Sequence, residues 1–445
     1  MGVMMQAFHW NCPSVDNKEY AWWNFVSEKV PSLSQAGFTS LWLPPVHKAA
    51  NIGGPSMGYD PYDYYDLGDL DQKGSVKTWF GSKQELVELI DSAHQHGFTV
   101  LTDMVINHAS GADAQEVNPI TGDSRWTFFQ PQSGKFCRNW ECFHPCQYET
   151  RDRGTFGEMP DLSHRNPYVF GEILKLARWL IEQVGFDGFR YDFVKGYGTW
   201  IVTAVQEYRY VRDGEHFKPY GVGECWDRAR TIDNWVNETN AWNDNPVQAF
   251  DFPLRDMLKA LCDSYGFSFR NLLSWDTLLK KQPTGAVTFV ENHDSRDSDK
   301  AIVHDKLLAY SYILTHEGYP CVFWKDYYNW DLGKEGTPHG ISALVRVHET
   351  LAGGSTEVLW VDDNLYIMQR IGYDKKPGLV FVLNNEGYRW NGACVTTQWH
   401  NVAFSPVAWW SGKDDSRPAD KWASGDGQAE FWAPPRGYAV YAPQV

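Results

Sequence analysis

Four short stretches concentrate side chains able to make and break bonds. They are Asp103-Met-Val-Ile-Asn107-His108, Gly188-Phe-Arg190-Tyr-Asp192-Phe-Val-Lys195-Gly196, Gly223-Glu224-Cys225-Trp226 and Glu291-Asn292-His293-Asp294. Asp192, Glu224 and Asp294 are carboxylates of the kind that cleave a glycosidic bond. That reaction passes through an oxocarbenium-like state and needs an anion on one face and a proton donor on the leaving oxygen. Asp192 suits the nucleophile, because Arg190 lies two residues earlier on the same strand face and would keep it ionised. Glu224 suits the general acid, with Cys225 and Trp226 as bulk that would desolvate it and raise its pKa. Asp294 is a third carboxylate, placed to hold hydroxyls and help distort a ring. His108 and His293 can donate hydrogen bonds to hydroxyls. One acid at a strand end is as easily a helix N-cap; four such clusters argue for a shared site.

The elements that carry these groups follow a rhythm. Short apolar runs read as strands at Gly2 to Phe8, Phe38 to Leu43, Thr99 to Ile106, Gly188 to Asp192, Tyr220 to Glu224, Ala249 to Phe252, Ala286 to Glu291 and Cys321 to Trp324. Helical patterns fall between them, among them Lys83 to His96 and Val169 to Val184. Eight right-handed βα units close into a parallel barrel, and catalytic groups then gather at the C-terminal ends of its strands. The clusters sit on strands three, four, five and seven, so the expected fold is an α/β (β/α)8 barrel over 1–108 and 161–350. The stretch 109–160 lacks helical period and reads as a subdomain inserted after strand three. From 351 to 445 alternating runs such as Leu365 to Arg370 and Leu379 to Leu383 predict an antiparallel β-sandwich.

Bulk properties narrow the partners. The 445 residues carry 40 basic against 56 acidic side chains, a net charge of −16, which disfavours nucleic acid and anionic membrane. No run of about 18 apolar residues predicts a spanning helix. A neutral polymer or a cation remains compatible. The 22 Trp, 23 Tyr and 24 Phe mostly fill cores, and some can serve as flat platforms for the apolar faces of sugar rings. The opening MGVMMQAFHW has no basic segment followed by a leader core. Export with the leader absent is expected, with the cytoplasm as the alternative, and a monomer is expected.

The blocks DMVINH, GFRYDFVKG, GECW and FVENHD, with Met159-Pro160-Asp161-Leu162 as a fifth, resemble the signature regions of the α-amylase family of glycoside hydrolases. Gly58-Tyr59-Asp60-Pro61-Tyr62-Asp63 and the string GTFGEMPDL extend the likeness over nearly the whole chain. DFVKGYG and AFDFPL bring it nearest to archaeal-type and plant-like α-amylases. The resemblance implies Asp192 as nucleophile, Glu224 as acid/base and Asp294 as transition-state stabiliser. It implies that Tyr59 stacks under the sugar and that Lys195 and Gly196 meet the leaving-group side. The implied reaction is internal hydrolysis of α-1,4-glucosidic bonds in starch, glycogen and maltooligosaccharides.

The same resemblance implies a calcium ion pinning the insert to the barrel, held by Asn107, Asp152, Gly154 O, Asp161 and Gly196 O. Some archaeal relatives add a zinc-like metal held by His and Cys. Here His144 is present, but Ser163 stands where a Cys is expected. Cys137, Cys142 and Cys146 are open to a disulfide, favoured for an exported protein, to a soft-metal site with His144, or to neither. Three rivals stay open: a 4-α-glucanotransferase on the same scaffold, a non-catalytic glucan-binding barrel, and a metal-dependent hydrolase using His108 and His293.

Overall fold

The computed structural model describes residues 2–51, 54–150, 156–212, 214–296 and 299–444. Eight strands lie where the apolar runs predict them, with ends shifted by a residue or two: Met4–Gln6, Ser40–Leu43, Thr99–Met104, Gly188–Tyr191, Tyr220–Gly223, Gln248–Phe250, Ala286–Phe289 and Tyr319–Phe323. They close into one barrel in sequence order. Seven are buried along nearly their whole length and the fifth, Tyr220–Gly223, is buried after its first residue. This explains why they read as continuous apolar runs rather than alternating ones. The sixth ends early because the Asp251 carboxylate accepts from Leu254 N–H at 3.1 Å and starts the helix Phe252–Asp263.

The chain divides into two compact units. One comprises Ala7–Pro31 and Ser40–Phe250. Its helix Lys83–Gln95 begins with a capping box, in which Ser82 and Glu85 satisfy each other's backbone N–H groups, and buries Leu86, Leu89, Ile90 and Ala93. The expected second helix is split: Pro167–Trp179 is α-helical, and Leu180–Val184 widens into a π-turn ended by Gly185 at φ 105°. Residues 109–160 are less irregular than the sequence suggests, since Ala114–Val117 and Ser124–Phe128 form an antiparallel hairpin.

The other unit comprises Met1–Gln6, Ser32–Thr39 and Asp251–Val445. Its C-terminal part stacks a six-stranded antiparallel sheet with the pair Asn391–Thr396 and Gln428–Ala433. Ile367, Val380, Val382, Phe404, Phe431 and Tyr441 fill the layer between them. Arg436 ties this sandwich to the helical part of the same unit. Its guanidinium donates to Asp305 Oδ2 at 2.8 Å, to Leu261 O at 2.9 Å, to Cys262 O at 2.7 Å and to Asn385 Oδ1. Among the described residues no helix is long and apolar enough to cross a membrane.

Candidate active site

The register of the barrel sets the centre of the site. Across neighbouring strands Arg190 pairs with Asp103 on one side and with Val222 on the other. Its guanidinium is therefore fixed between the ends of strands three, four and five, 1% exposed. Nη1 lies 2.9 Å from Asp103 Oδ1 and 2.6 Å from Asp192 Oδ1, and Nη2 lies 3.1 Å from Glu224 Oε2. One buried cation thus serves three carboxylates, which together raise its pKa against the lowering effect of its own burial.

Glu224 is the clearest departure from the sequence reading. Cys225 is buried beside it, but Trp226 turns outward at 41% exposure. The carboxylate takes two partners that favour its charged form, Arg190 Nη2 and the Phe193 N–H, which donates to Glu224 Oε2 at 2.9 Å. Phe193 reaches it from a left-handed backbone conformation, φ 44°, uncommon for a side chain of this size and costing about 1–3 kcal/mol. The Asp192 carbonyl is held in turn by the Tyr197 hydroxyl at 2.9 Å.

Asp103 joins this cluster, although the sequence reading gave it no role of its own. Burial pushes its pKa up to about 7 against the lowering effect of Arg190, with Asp192 adding to the rise. The Tyr59 hydroxyl donates to Asp103 Oδ2 at 2.6 Å, and burial together with the Asp103 charge holds that phenol well above its ordinary value. The Tyr59 ring stacks on Trp10, 6.1 Å between centroids and 16° between planes. His108 donates from Nε2 to the Tyr59 carbonyl at 2.9 Å and lies flat on Phe156, 4.7 Å between ring centroids. Burial lowers its pKa, so it is a neutral donor near pH 7. The block DMVINH carries Asp103 in plain view, but which carboxyl shares Arg190 depends on strand register.

Lys195 reaches the loop after strand five, donating to the Trp226 carbonyl at 2.7 Å and lying 3.4 Å from Asp227 Oδ2. In the other compact unit, Gln6 Nε2 stands 3.0 Å from His293 Nδ1, and His293 Nε2 stands 3.6 Å from Asp294 Oδ2. The Asn292 side chain caps this turn, its Oδ1 accepting from the Asp294 N–H at 3.0 Å, and the Asp294 carboxylate is 29% exposed. Both residues follow strand seven, on the C-terminal side of the parallel strand order.

Three of the expected calcium ligands come together. Asn107 Nδ2 donates to Asp161 Oδ1 at 2.9 Å. A side chain at Gly196 would overlap Asn107 Oδ1, so the Gly196 backbone packs directly on that amide. Asp152 and Gly154 lie outside the described residues. All eight cysteines are free thiols, so of the alternatives left open for Cys137, Cys142 and Cys146 the disulfide is not formed. Cys146 Sγ instead donates to Ser163 Oγ at 3.2 Å, and His144 Nε2 pairs with Glu149 at 3.2 Å. Among the described residues no three His, Cys, Asp or Glu side chains form a metal-holding group, so nothing there assembles the zinc-like site.

Comparison with known proteins identifies the family. The model of the alpha-amylase catalytic domain matches residues 14–336, more than half of the chain. An alpha-amylase from Geobacillus stearothermophilus is 33% identical over 383 residues, which cover 74% of this chain and 66% of that protein. A probable alpha-amylase of Arabidopsis thaliana is 28% identical over 82% of this chain and 84% of its own. The crystal structure of an alpha-amylase from Geobacillus thermoleovorans complexed with acarbose shares the fold at a TM-score of 0.67 and 19% identity, covering 100% of this chain and 98% of that one. The matches span bacteria and plants and favour neither branch. The chain belongs to the alpha-amylase family of glycoside hydrolases.

Proposed function

We propose that this enzyme hydrolyses internal α-1,4-glucosidic bonds of starch, glycogen and maltooligosaccharides with retention at the anomeric carbon. The observation that carries the reading is the single Arg190 guanidinium shared by Asp192 and Glu224 at 2.6 and 3.1 Å. Asp192, ion-paired with Arg190, attacks the anomeric carbon. Glu224 protonates the leaving oxygen and then removes a proton from the incoming water. Asp103, Asp192 and Glu224 share this one cation, and burial pushes the pKa of Asp103 up to about 7. Withdrawal of Asp192 into a covalent bond to sugar releases Arg190 towards the carboxylate of Glu224 as its proton leaves. Asp294 binds hydroxyls and favours the distorted ring, and His293, oriented by Gln6, donates beside it. His108 and Tyr59 shape the cleavage subsite, and Lys195 and Gly196 lie towards the leaving group.

We assign the calcium site to Asn107, Asp161 and the Gly196 carbonyl, completed by Asp152 and the Gly154 carbonyl. The donors are all hard oxygens, and the packing of Gly196 on Asn107 suits a shared ion. Bound there, calcium would neutralise Asp161 and join the insert, 109–160, to the turn after Asp192. The rest of the proposed division is the barrel over 1–108 and 161–350 and the sandwich over 351–445. DFVKGYG and AFDFPL support an affiliation with the archaeal-type and plant-like branch. Action as a monomer outside the cell suits a polymer too large to enter it. The test is hydrolysis of maltoheptaose followed by anomer-resolving NMR: α-anomers should appear first, whereas β-anomers first, or longer sugars predominating, would overturn hydrolysis with retention.

A further inference from the structure

The insert returns to the barrel through a tight turn. Met159 N–H donates to Phe156 O at 3.4 Å, and Gly157 between them takes φ 63°, a left-handed conformation that glycine adopts without strain. Past the turn the chain is fixed alongside the residues that follow strand three. Ala109 N–H donates to Pro160 O at 3.1 Å and Leu162 N–H to Asn107 O at 2.8 Å. This seats the Phe156 ring flat on His108, 4.7 Å between centroids and 5° between planes. The same ring meets Phe193 edge to face, 5.8 Å between centroids and 66° between planes. Phe156 keeps these two contacts while 41% exposed, so it is not a core filler.

The contact with Phe193 bears on the general acid. Phe193 N–H donates to Glu224 Oε2 at 2.9 Å and Val194 N–H to Glu224 O at 3.2 Å. Both the carboxylate and the main chain of Glu224 are therefore held by the turn that Phe193 opens. A left-handed Phe is not favoured by its own propensity, so its conformation depends on what packs against its ring. The Gly196 backbone is one such neighbour, since a side chain added there would come within 2.9 Å of Phe193 Cδ1. Phe156 is another. Asp192 has separate supports: Arg190 Nη1 at 2.6 Å, the Tyr197 hydroxyl on its carbonyl at 2.9 Å, and its own N–H on Met104 O at 3.2 Å. Loss of the Phe156 ring should loosen the acid and leave the nucleophile in place.

We propose that Phe156 is a positioning residue for Glu224, the ring through which the insert sets the Phe193 turn and so aims the acid. The assignment rests on the role of Glu224 proposed above. It makes the aim of the acid a property of the insert as well as of the barrel.

The test compares two substrates in the full chain. Maltoheptaose needs an acid for its leaving group, whereas first-turnover release of fluoride from α-maltosyl fluoride does not. Phe156→Ala should lower kcat/KM for maltoheptaose about 10–100-fold, as for misplacement of a catalytic group, and leave fluoride release within about twofold. Phe156→Tyr, which keeps the ring, should restore maltoheptaose cleavage. Phe193→Leu should give the same split, and the double substitution should add little to it. An equal fall with both substrates would place the effect on His108 or Asp192, which serve both, and would overturn the proposal. So would no fall with either substrate, or losses that multiply in the double substitution. Glu224→Gln separates the two readings: if it fails to show the split, the acid assignment itself falls, whatever Phe156 does.

Discussion

Arg190 Nη1 lies 2.6 Å from Asp192 Oδ1, and the same guanidinium is within ion-pair distance of Asp103 and Glu224. Replacing it therefore does more than remove one contact. Arg190→Lys keeps a charge but cannot reach three carboxylates, and we expect kcat to fall about 10²–10³-fold, as for loss of a preorganised electrostatic partner. KM for maltoheptaose should change far less. Arg190→Ala should also destabilise the fold by about 3–5 kcal/mol, because buried acids lose their counter-ion. Steady-state kinetics and urea unfolding check the two parts separately.

Asp103 gives stability a pH dependence of defined sign. Its pKa is raised in the folded chain to about 7 from an ordinary 3.8, so between those values the native state binds the extra proton. Its contribution is complete below the unfolded pKa and is lost as pH rises through the folded one. From pH 5 to 7 the unsubstituted enzyme should lose stability with an extra slope of up to about 1.4 kcal/mol per pH unit. Asp103→Asn should lack that slope. Urea midpoints at pH 5, 6, 7 and 8 for both chains measure it, and parallel curves would refute the shift.

Gly196 tests the calcium assignment. A methyl group there would collide with the Asn107 amide, pushing it from Asp161 and from the proposed ion. Chelation should lower the Tm of the unsubstituted enzyme, and added calcium should restore it. Gly196→Ala should start at a lower Tm and respond little to either treatment. Equal calcium responses in the two chains, read by scanning calorimetry, would remove Gly196 from the site.

Arg436 tests the tie between the sandwich and its neighbouring helices. Arg436→Leu leaves Asp305, Asn385 and two carbonyls without their donor. Asp305 is 21% exposed and partly solvated, so about 2–3 kcal/mol is expected rather than the full cost of a sealed pair. Denaturant unfolding reads the loss. Below the transition, kcat on maltoheptaose should be unaltered, since nothing in this cluster touches the proposed machinery.

The strands were legible because a parallel barrel buries both faces of each, leaving short apolar runs that end in polar residues. The proposed catalytic trio was legible for the same reason: Asp192, Glu224 and Asp294 all lie just past such runs. The setting of Glu224 was not. Its neighbours in sequence, Cys225 and Trp226, suggest an apolar pocket, but its partners come from the adjacent strand, and only register places Arg190 and the Phe193 N–H against it. Phe193 itself is invisible in a sequence, since a left-handed Phe is dictated by surroundings rather than by propensity. The hairpin at Ala114–Val117 was missed because its strand is largely solvated and offers no apolar alternation.

Hydrolysis with retention through Asp192 requires a covalent glycosyl-enzyme. The direct measurement is mass spectrometry of peptides from the Glu224→Gln enzyme after reaction with α-maltosyl fluoride, whose leaving group needs no acid. An adduct of one maltosyl unit on the peptide holding Asp192, abolished by Asp192→Asn, is the expected result. No adduct while fluoride is released, or an adduct on a different carboxylate, would contradict Asp192 as the nucleophile.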